Sequence, residues 1–267
     1  IMNIASWNIN SVRIRVDQVK DYLKKKKIDI LVLQEIKTED KNFPHEDFKK
    51  IGYHSYSFGQ KSYNGVAIIS KEELKVTTSE FKDPLGQSRC IAAEVYHNDK
   101  KFLLVSIYLP NGNPINTEKY DYKKKWMDIF EKYIVGKFKK NKNIIITGDF
   151  NVIPSEEDVG NPEDWTNDAL FKLEIRKKFR SLLNLGFKDG FRLFNKEPKE
   201  YTFWDYQQGS WQRNKGLRID HYLVSDSMIQ DLKTIEIDKF TRENERPSDH
   251  VPIRCVLTWY DCTDQRI

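Results

Sequence analysis

Cysteine is scarce in this sequence, with three residues, Cys90, Cys255 and Cys262, in a chain of 267. Their number is odd and their separations are far from the spacing of metal-binding cysteine pairs. They therefore predict neither a disulfide framework nor a zinc site. Cys90 and Cys255 lie in apolar runs, and we expect reduced structural thiols, as in a protein of the cytosol.

Long apolar runs are also missing. No stretch approaches the length of about 20 residues that a membrane-spanning helix requires. The first residues, Ile1 to Asn8, have the pattern of a strand rather than of a signal peptide. Internal repeats, low-complexity tracts and linkers rich in proline, glycine and serine are lacking too. We therefore expect a cytoplasmic protein without a cleaved leader, independent of membranes, with one domain over residues 1–267.

Charge, by contrast, is abundant. Lysine and arginine number 45 against 40 aspartates and glutamates, which gives a net charge of +5. This mild excess suits a nucleic-acid enzyme, but it suits many other proteins as well. The clusters Lys24 to Lys27 and Lys123 to Lys125 could contact phosphates, although such runs on helices are more often solvated faces.

Short apolar runs bounded by turn residues recur from one end of the chain to the other. They predict eight strands: Asn3 to Asn8, Asp29 to Gln34, Gly65 to Ser70, Cys90 to Tyr96, Phe102 to Leu109, Asn143 to Thr147, Ile219 to Val224 and Val251 to Leu257. Helical spacing predicts three helices, one over Val12 to Leu23, one beginning near Thr117 and one beginning near Asp168. Strands thus outnumber helices, which indicates an α/β sandwich of two packed sheets with helices on their outer faces.

Polar residues stand at the ends of several of these strands. They are Asn8, Glu35, Asp149, Asn151, Asp220, Asp249 and His250. If the strand ends lie side by side at one rim, these side chains line a single cleft, and its carboxylates repel one another unless a cation joins them. Hard oxygen ligands with a single histidine suit Mg²⁺ or Mn²⁺ better than zinc, and such an ion also takes a phosphate oxygen from its substrate. The cleft therefore predicts a phosphate ester as substrate.

Each of these residues also has a structural interpretation. Asp149 and Asn151 are equally compatible with a turn after a strand, and the residues after Asn8 with the capped start of a helix. Glu35 and Asp220 are harder to explain in this way, since each adjoins an apolar run and a buried carboxylate without a partner is unfavourable.

Eight motifs narrow the choice. They are "WNIN", "LQEIK", "YNGVAI", "YLPNG", "GDFN", "TFWDY", "GLRIDHYLVS" and "PSDHVPI", in this order between Asn3 and about Leu257. Together they resemble the exonuclease III family of apurinic/apyrimidinic endonucleases. "GDFN" and "SDH" are typical of the wider endonuclease/exonuclease/phosphatase superfamily, whereas "YLPNG", "GLRID" and "TFWDY" favour its DNA-repair branch. The resemblance implies a deoxyribonuclease I-like fold, a four-layer α/β sandwich with two mixed β-sheets flanked by helices.

The resemblance also implies a metal site. Glu35 corresponds to the main metal ligand of the family, supported by Asn8 and Asp249. The implied cofactor is Mg²⁺, with Mn²⁺ as a substitute. Ser11 stands where the family usually has glycine, so the turn after the first strand is expected to differ slightly.

The catalytic residues that the resemblance implies are five. Asp149 aligns or deprotonates the attacking water, and Asn151 fixes the scissile phosphate. His250 contacts a phosphate oxygen and is oriented by Asp220, while Tyr108 places its phenol on the phosphate or the leaving group.

Four further residues are implied in substrate binding. Asn111 shapes the pocket, and Phe203, Trp204 and Leu217 form its walls around a sugar that has lost its base. DNA contacts within residues 155–167 stay unassigned, and His221 is expected to be structural.

The activity implied is Mg²⁺-dependent hydrolysis of the phosphodiester 5′ to an abasic site in double-stranded DNA. Exonuclease activity from 3′ to 5′ and removal of 3′ blocking groups are implied as well, without an obligate protein partner. Two alternatives stay open: a sister enzyme acting on inositol lipids, sphingomyelin or undamaged DNA, and a catalytically inactive scaffold on the same fold.

Overall fold

The computed structural model describes residues 1–259, and the predicted thiol Cys262 therefore lies outside the described residues. In chain order the strands are β1 (Met2–Asn8), β2 (Ile30–Gln34), β3 (His54–Phe58), β4 (Val66–Ser70), β5 (Lys75–Thr77), β6 (Cys90–His97), β7 (Lys100–Tyr108), β8 (Ile144–Asp149), β9 (Phe187–Asp189), β10 (Asp220–Ser225), β11 (Leu232–Ile237) and β12 (Ile253–Leu257). The helices are α1 (Val16–Lys25), α2 (His45–Lys49), α3 (Glu118–Phe138), α4 (Leu173–Asn184) and α5 (Gly190–Phe194).

The strands form two mixed sheets of six. The first has the order β11-β12-β1-β2-β4-β3 and the second the order β5-β6-β7-β8-β10-β9. Each is built around one parallel pair, β1 with β2 and β7 with β8, and the other pairings are antiparallel. All eight strands and all three helices predicted from the sequence are present.

The sheets pack face to face. Ile4 and Val32 of the first sheet meet Leu104 and Ile145 of the second in one buried cluster. Consecutive strand residues point to opposite faces, and the other faces carry helices: α1 covers the first sheet, while α3 and α4 cover the second. The predicted four-layer sandwich is confirmed.

Cys90 and Cys255 are buried and unpaired, as expected for structural thiols, and burial raises the pKa of both. Among the described residues, no helix has the length and apolar character needed to cross a membrane.

Strand register positions the polar residues. The parallel pairs place the carboxyl ends of β1 and β2 together and those of β7 and β8 together, and the two pairs contact each other across the sandwich. Tyr108 pairs with Asp149, and Asp149 pairs with Asp220. Gly148 permits this register, since a Cβ atom there would lie 2.0 Å from the carbonyl oxygen of Ile107.

Candidate active site

A cavity of about 330 Å³ opens where the strand ends of the two sheets meet. Nine of the twelve predicted site residues line it: Glu35, Tyr108, Asn111, Asp149, Asn151, Phe203, Leu217, Asp249 and His250. Asn8 and Asp220 lie directly behind them, in hydrogen-bond contact with Asp149 and His250 respectively. The convergence that the sequence predicted for these strand ends is therefore present in the structure.

Asn8 organises the carboxylates. Its side-chain amide group donates to Glu35 Oε1 at 3.1 Å and to Asp149 Oδ2 at 2.9 Å. Its oxygen accepts the backbone N–H of Asn10 at 3.1 Å. In this orientation Asn8 supports the site by holding two carboxylates in place, and a metal-ligand role for its oxygen stays a prediction.

Glu35 follows β2 in a left-handed backbone conformation with φ of +49°. Such a conformation is unfavourable for a residue other than glycine, and it marks a position held by its surroundings. The ammonium of Lys37 lies 3.3 Å from Glu35 Oε2 and donates to Asn10 Oδ1. Asn10 in turn donates to Asp249 Oδ1, so that Glu35 and Asp249 are tied into one network at the cavity wall.

The turn after β1 is not the capped start of a helix, which was the structural alternative for these residues. Helix α1 begins only at Val16, after Arg15, so Asn10 and Ser11 do not cap it. Ser11 has φ of +81°, the left-handed region that glycine adopts most readily. The chain therefore keeps a glycine-like backbone at this position, although it carries serine there.

His250 lies between two carboxylates. Its Nδ1 atom is 2.8 Å from Asp220 Oδ2, and its Nε2 atom is 3.5 Å from Asp149 Oδ2. Thr202 Oγ1 also donates to Asp220 Oδ2 at 2.6 Å, which fixes that carboxylate. Burial by itself lowers the pKa of His250, but Asp220 and Asp149 outweigh it and raise that pKa to about 10. The imidazole is therefore held in its charged form at neutral pH, and its Nδ1 atom donates to Asp220 Oδ2.

Asp149 is 1% exposed, and burial raises its pKa to about 7 in spite of the neighbouring imidazolium of His250. Its Oδ1 atom accepts the backbone N–H of Asn151, whose side-chain amide donates to the carbonyl oxygen of Leu109. A carboxyl group with a pKa near neutrality is suited to accept a proton from water.

Tyr108 completes the polar wall. Burial, followed by the charges of Glu35 and Asp149, raises the pKa of Tyr108 well above its ordinary value. The phenol therefore stays protonated and is available as a donor. The guanidinium of Arg89 lies 4.8 Å from the ring centroid and donates to the carbonyl oxygen of Tyr108, which fixes the ring.

The donor chemistry fits a hard divalent cation. Glu35 and Asp249 offer carboxylate oxygens to the same cavity, and such oxygens are the ligands that Mg²⁺ prefers. Asp149, Asp220 and His250 also bring potential ligand atoms within 4.8 Å of one another, but the hydrogen bond between His250 and Asp220 occupies two of these groups. Glu35 and Asp249 are therefore the residues here whose carboxylate oxygens could hold such an ion.

The apolar wall contains Phe203 and Leu217, which exchange two backbone hydrogen bonds. The ring of Phe203 packs edge to face on His250, with centroids 5.0 Å apart. Trp204 is different. Its side chain is fully buried behind the wall against Tyr201 and Val251, so the expectation that it binds substrate is wrong. The cause is the alternation of side chains in extended backbone, which turns adjacent residues to opposite sides.

Substitution by alanine is expected to have different effects at Phe203 and at Trp204. Trp204→Ala is expected to lower the free energy of unfolding by about 3–5 kcal/mol, the usual loss for a buried tryptophan, and to leave KM of the folded protein unchanged. Phe203→Ala is expected to raise KM, because Phe203 lines the cavity, and to lower the free energy of unfolding by less than Trp204→Ala does. Urea unfolding and steady-state kinetics of both variants check this, and a raised KM in folded Trp204→Ala contradicts it.

Several cavity residues escaped the sequence analysis. Trp165, Asp168 and Leu170 line the cavity from the segment before α4, where a short 3₁₀ helix, Pro162–Trp165, replaces any regular pattern. Lys123 was read as part of a surface cluster and is instead fully buried. The sequence does contain a sign of this burial: Lys123 precedes Trp126 by three residues, which places both on the same apolar face of α3.

A buried ionic cluster supports the Leu217 wall. Arg218 donates from Nε to Asp158 Oδ1 at 2.6 Å and from a terminal nitrogen to Asp189 Oδ2 at 2.7 Å. It also donates to His221 Nδ1, while His221 Nε2 donates to the carbonyl oxygen of Val152. His221 is thus held neutral behind the site, and burial, followed by the charge of Arg218, lowers its pKa to about 4.

This depressed pKa predicts a loss of stability in acid. The unfolded chain binds a proton at His221 near pH 6.5, whereas the folded chain does so only near pH 4. The stabilisation is complete above pH 6.5 and disappears as the pH falls toward 4, by about 3 kcal/mol. Urea unfolding between pH 7 and 4 is expected to show this loss in the wild type. His221→Phe, which retains the other four histidines, is expected to lose less over the same range, and equal slopes contradict the assignment.

Comparison with known proteins agrees with this geometry. A model of the Endonuclease/Exonuclease/phosphatase family matches residues 5–250. Exodeoxyribonuclease III of Haemophilus influenzae is 34% identical over 262 residues, which cover 94% of this chain and 98% of the relative.

Solved structures give the same result. An AP endonuclease from Archaeoglobus fulgidus superposes with a TM-score of 0.91 at 34% identity, and a 3′-5′ exonuclease from Neisseria meningitidis with 0.91 at 36% identity. Each alignment covers 97% of this chain and 100% of the other. The fold is the deoxyribonuclease I-like sandwich, and the chain belongs to the endonuclease/exonuclease/phosphatase family.

Proposed function

We propose that this protein is a DNA-repair nuclease that hydrolyses the phosphodiester 5′ to an abasic site in double-stranded DNA. The same site would act on 3′ ends, by exonuclease cleavage and by removal of 3′ blocking groups. The observation that carries the proposal is the position of His250 between the carboxylates of Asp149 and Asp220. This group lies in the same cavity as Glu35 and the apolar wall of Phe203 and Leu217. Relatives named exodeoxyribonuclease III and AP endonuclease support it.

Each residue has a defined part in the reaction. Asp149 accepts the proton of the attacking water, since its pKa of about 7 lies near the working pH. The imidazolium of His250 and the phenol of Tyr108 donate to oxygens of the phosphate, on which negative charge develops. Asp220 holds His250 in its charged form and orientation. A divalent cation at Glu35 and Asp249 would supply further stabilisation of that charge.

Pocket size and shape support an abasic sugar as the preferred group. A volume of about 330 Å³ with one apolar wall accommodates a deoxyribose ring beside its phosphate. Rotating a nucleotide out of the duplex requires unstacking, and an abasic nucleotide has no base to unstack. The lesion therefore enters the pocket at lower free energy than an intact nucleotide.

Three further elements belong to the proposal. Mg²⁺ is the working cofactor with Mn²⁺ as a substitute, because the ligands are oxygens and the substrate brings its own. Duplex DNA with abasic sites or 3′ ends is the partner, and no obligate protein partner is included. The protein acts in the cytoplasm as one domain.

The test is incision of a fluorescent duplex with one central abasic site, in Mg²⁺ and in EDTA, beside an undamaged duplex with a recessed 3′ end. We expect cutting at the abasic site in Mg²⁺ and none in EDTA. Shortening of the undamaged duplex measures the accompanying exonuclease activity. If neither duplex is cut in Mg²⁺, the DNA-repair function is wrong, and inositol lipids and sphingomyelin become the substrates to assay.

A further inference from the structure

Lys123 extends from α3 beneath the floor of the active-site cavity. Its Nζ atom donates to three main-chain carbonyl oxygens, those of Asn111 at 3.0 Å, Asn151 at 2.7 Å and Ala169 at 3.1 Å. The side chain is completely buried. A solvated lysine face on α3, as the sequence suggested, is therefore excluded at this residue.

Three acceptors require the charged form. An ammonium has three N–H donors, one for each carbonyl group, whereas a neutral amine has only two. Burial lowers the pKa of Lys123 to about 7, and the charges of Asp168 and Asp149 act in the opposite direction. Loss of a proton would leave one buried carbonyl oxygen without a donor, which is itself unfavourable.

The three carbonyl groups belong to three separate loops. Asn111 follows β7, Asn151 follows β8, and Ala169 precedes α4. Each loop also contributes a side chain to the cavity, namely Asn111, Asn151 and, next to Ala169, Asp168. The lysine side chain is the point at which the three loops meet.

Packing leaves this side chain little freedom to move. A Cβ atom at Gly112 would lie 2.5 Å from Cδ of Lys123 and 3.3 Å from Cβ of Ala169. The loop after β7 therefore rests directly on the lysine stem, and a shift of the ammonium would displace that loop.

We propose that Lys123 is a positioning residue of the active site, whose ammonium fixes these three loops relative to one another and so holds Asn151 at the reacting phosphate. This inference rests on the proposed function. Lys123 does not touch substrate, and it acts through the backbone of Asn151 and of the two loops beside it.

The test compares Lys123→Met with Lys125→Met, an exposed lysine on the same helix. Kinetics are measured on the abasic duplex at a temperature where circular dichroism shows both variants folded. We expect Lys123→Met to lower kcat about 10²-fold with KM within a few-fold, because a displacement of about 1 Å near the chemistry has such an effect. Lys125→Met keeps the wild-type kcat. A purely structural role would lower the melting temperature and leave kcat of the folded protein unchanged.

A second variant guards against failure to fold. Lys123→Ala leaves a cavity in which propylammonium can replace the lost group, and we expect this ion to raise kcat at least several-fold over tetramethylammonium at equal ionic strength. Wild-type kcat in folded Lys123→Met, the absence of such a rise, or failure of both variants to fold overturns the inference alone. A wild type that cuts neither duplex overturns the proposed function and the inference with it.

Discussion

Asp149→Asn is expected to lower kcat for abasic-site incision by about 10²–10⁴-fold, the usual contribution of a general base. The substitution keeps the size of the side chain and the acceptor for the backbone N–H of Asn151, but it removes the group that takes the proton of water. It also removes one negative charge from a cleft that faces a polyanion. DNA affinity is therefore expected to stay equal or to increase, as fluorescence anisotropy in EDTA can measure.

The matched control is Asp205→Asn, which removes an exposed carboxylate from the rim of the same cavity. It changes the net charge equally and is expected to retain turnover within a few-fold. Turnover by Asp149→Asn within tenfold of the wild type would remove Asp149 from the role of base. A wild type that binds abasic DNA without cutting it would instead identify a scaffold.

His250→Asn is expected to lower kcat by about 10²–10³-fold, the usual loss when one stabiliser of transition-state charge is removed. Asp220→Asn is expected to lower kcat as well, because His250 then loses the carboxylate at its Nδ1 atom. Since Asp220 acts through His250, the double variant is expected to resemble His250→Asn alone. Single-turnover rates of the four proteins measure this coupling, and independent, multiplying losses contradict it.

The pH profile gives a second measure of this pair. The pKa of His250 is raised to about 10, so the imidazolium is retained at neutral pH and lost as the pH rises through about 10. Without the charge of Asp220 that loss is expected at lower pH. His45→Asn is the control, since His45 lies by Ser55, outside the cavity lining. An unshifted alkaline limb in Asp220→Asn would show that another group titrates there.

The strands show where sequence patterns succeed. The eight strands that were predicted have at least one hydrogen-bonded neighbour on each side, whereas β3, β5, β9 and β11, which were missed, are the four edge strands. A central strand is buried on both faces and reads as a continuous apolar run, as β8 does with Ile144 to Ile146. An edge strand is short or partly solvated, and β3 with His54 and two serines has no such run.

The site residues also divide into those that the sequence could identify and those that it could not. Residues at strand ends could be identified because a carboxylate next to an apolar run stands out, as Glu35 and Asp149 do. The role of Trp204 could not be read, because alternation predicts only that Phe203 and Trp204 face opposite sides, and tertiary contacts decide which of the two faces the cavity. Lys123 was missed for a related reason: its spacing to Trp126 places it on the buried face of α3, but its carbonyl acceptors come from loops distant in sequence, and no local pattern reports them.

Some site residues lie on central strands and others on connecting segments, and this difference affects how such an enzyme can change during evolution. Asp149, Asp220 and Tyr108 are held by ladder hydrogen bonds in the middle of a sheet, where an insertion would disrupt the register of every neighbouring strand. The walls that carry Trp165 and Leu217 belong to connecting segments, which tolerate changes of length and sequence. Lineages with this fold can therefore acquire new substrates by remodelling two loops, while the catalytic residues on the central strands are inherited unchanged.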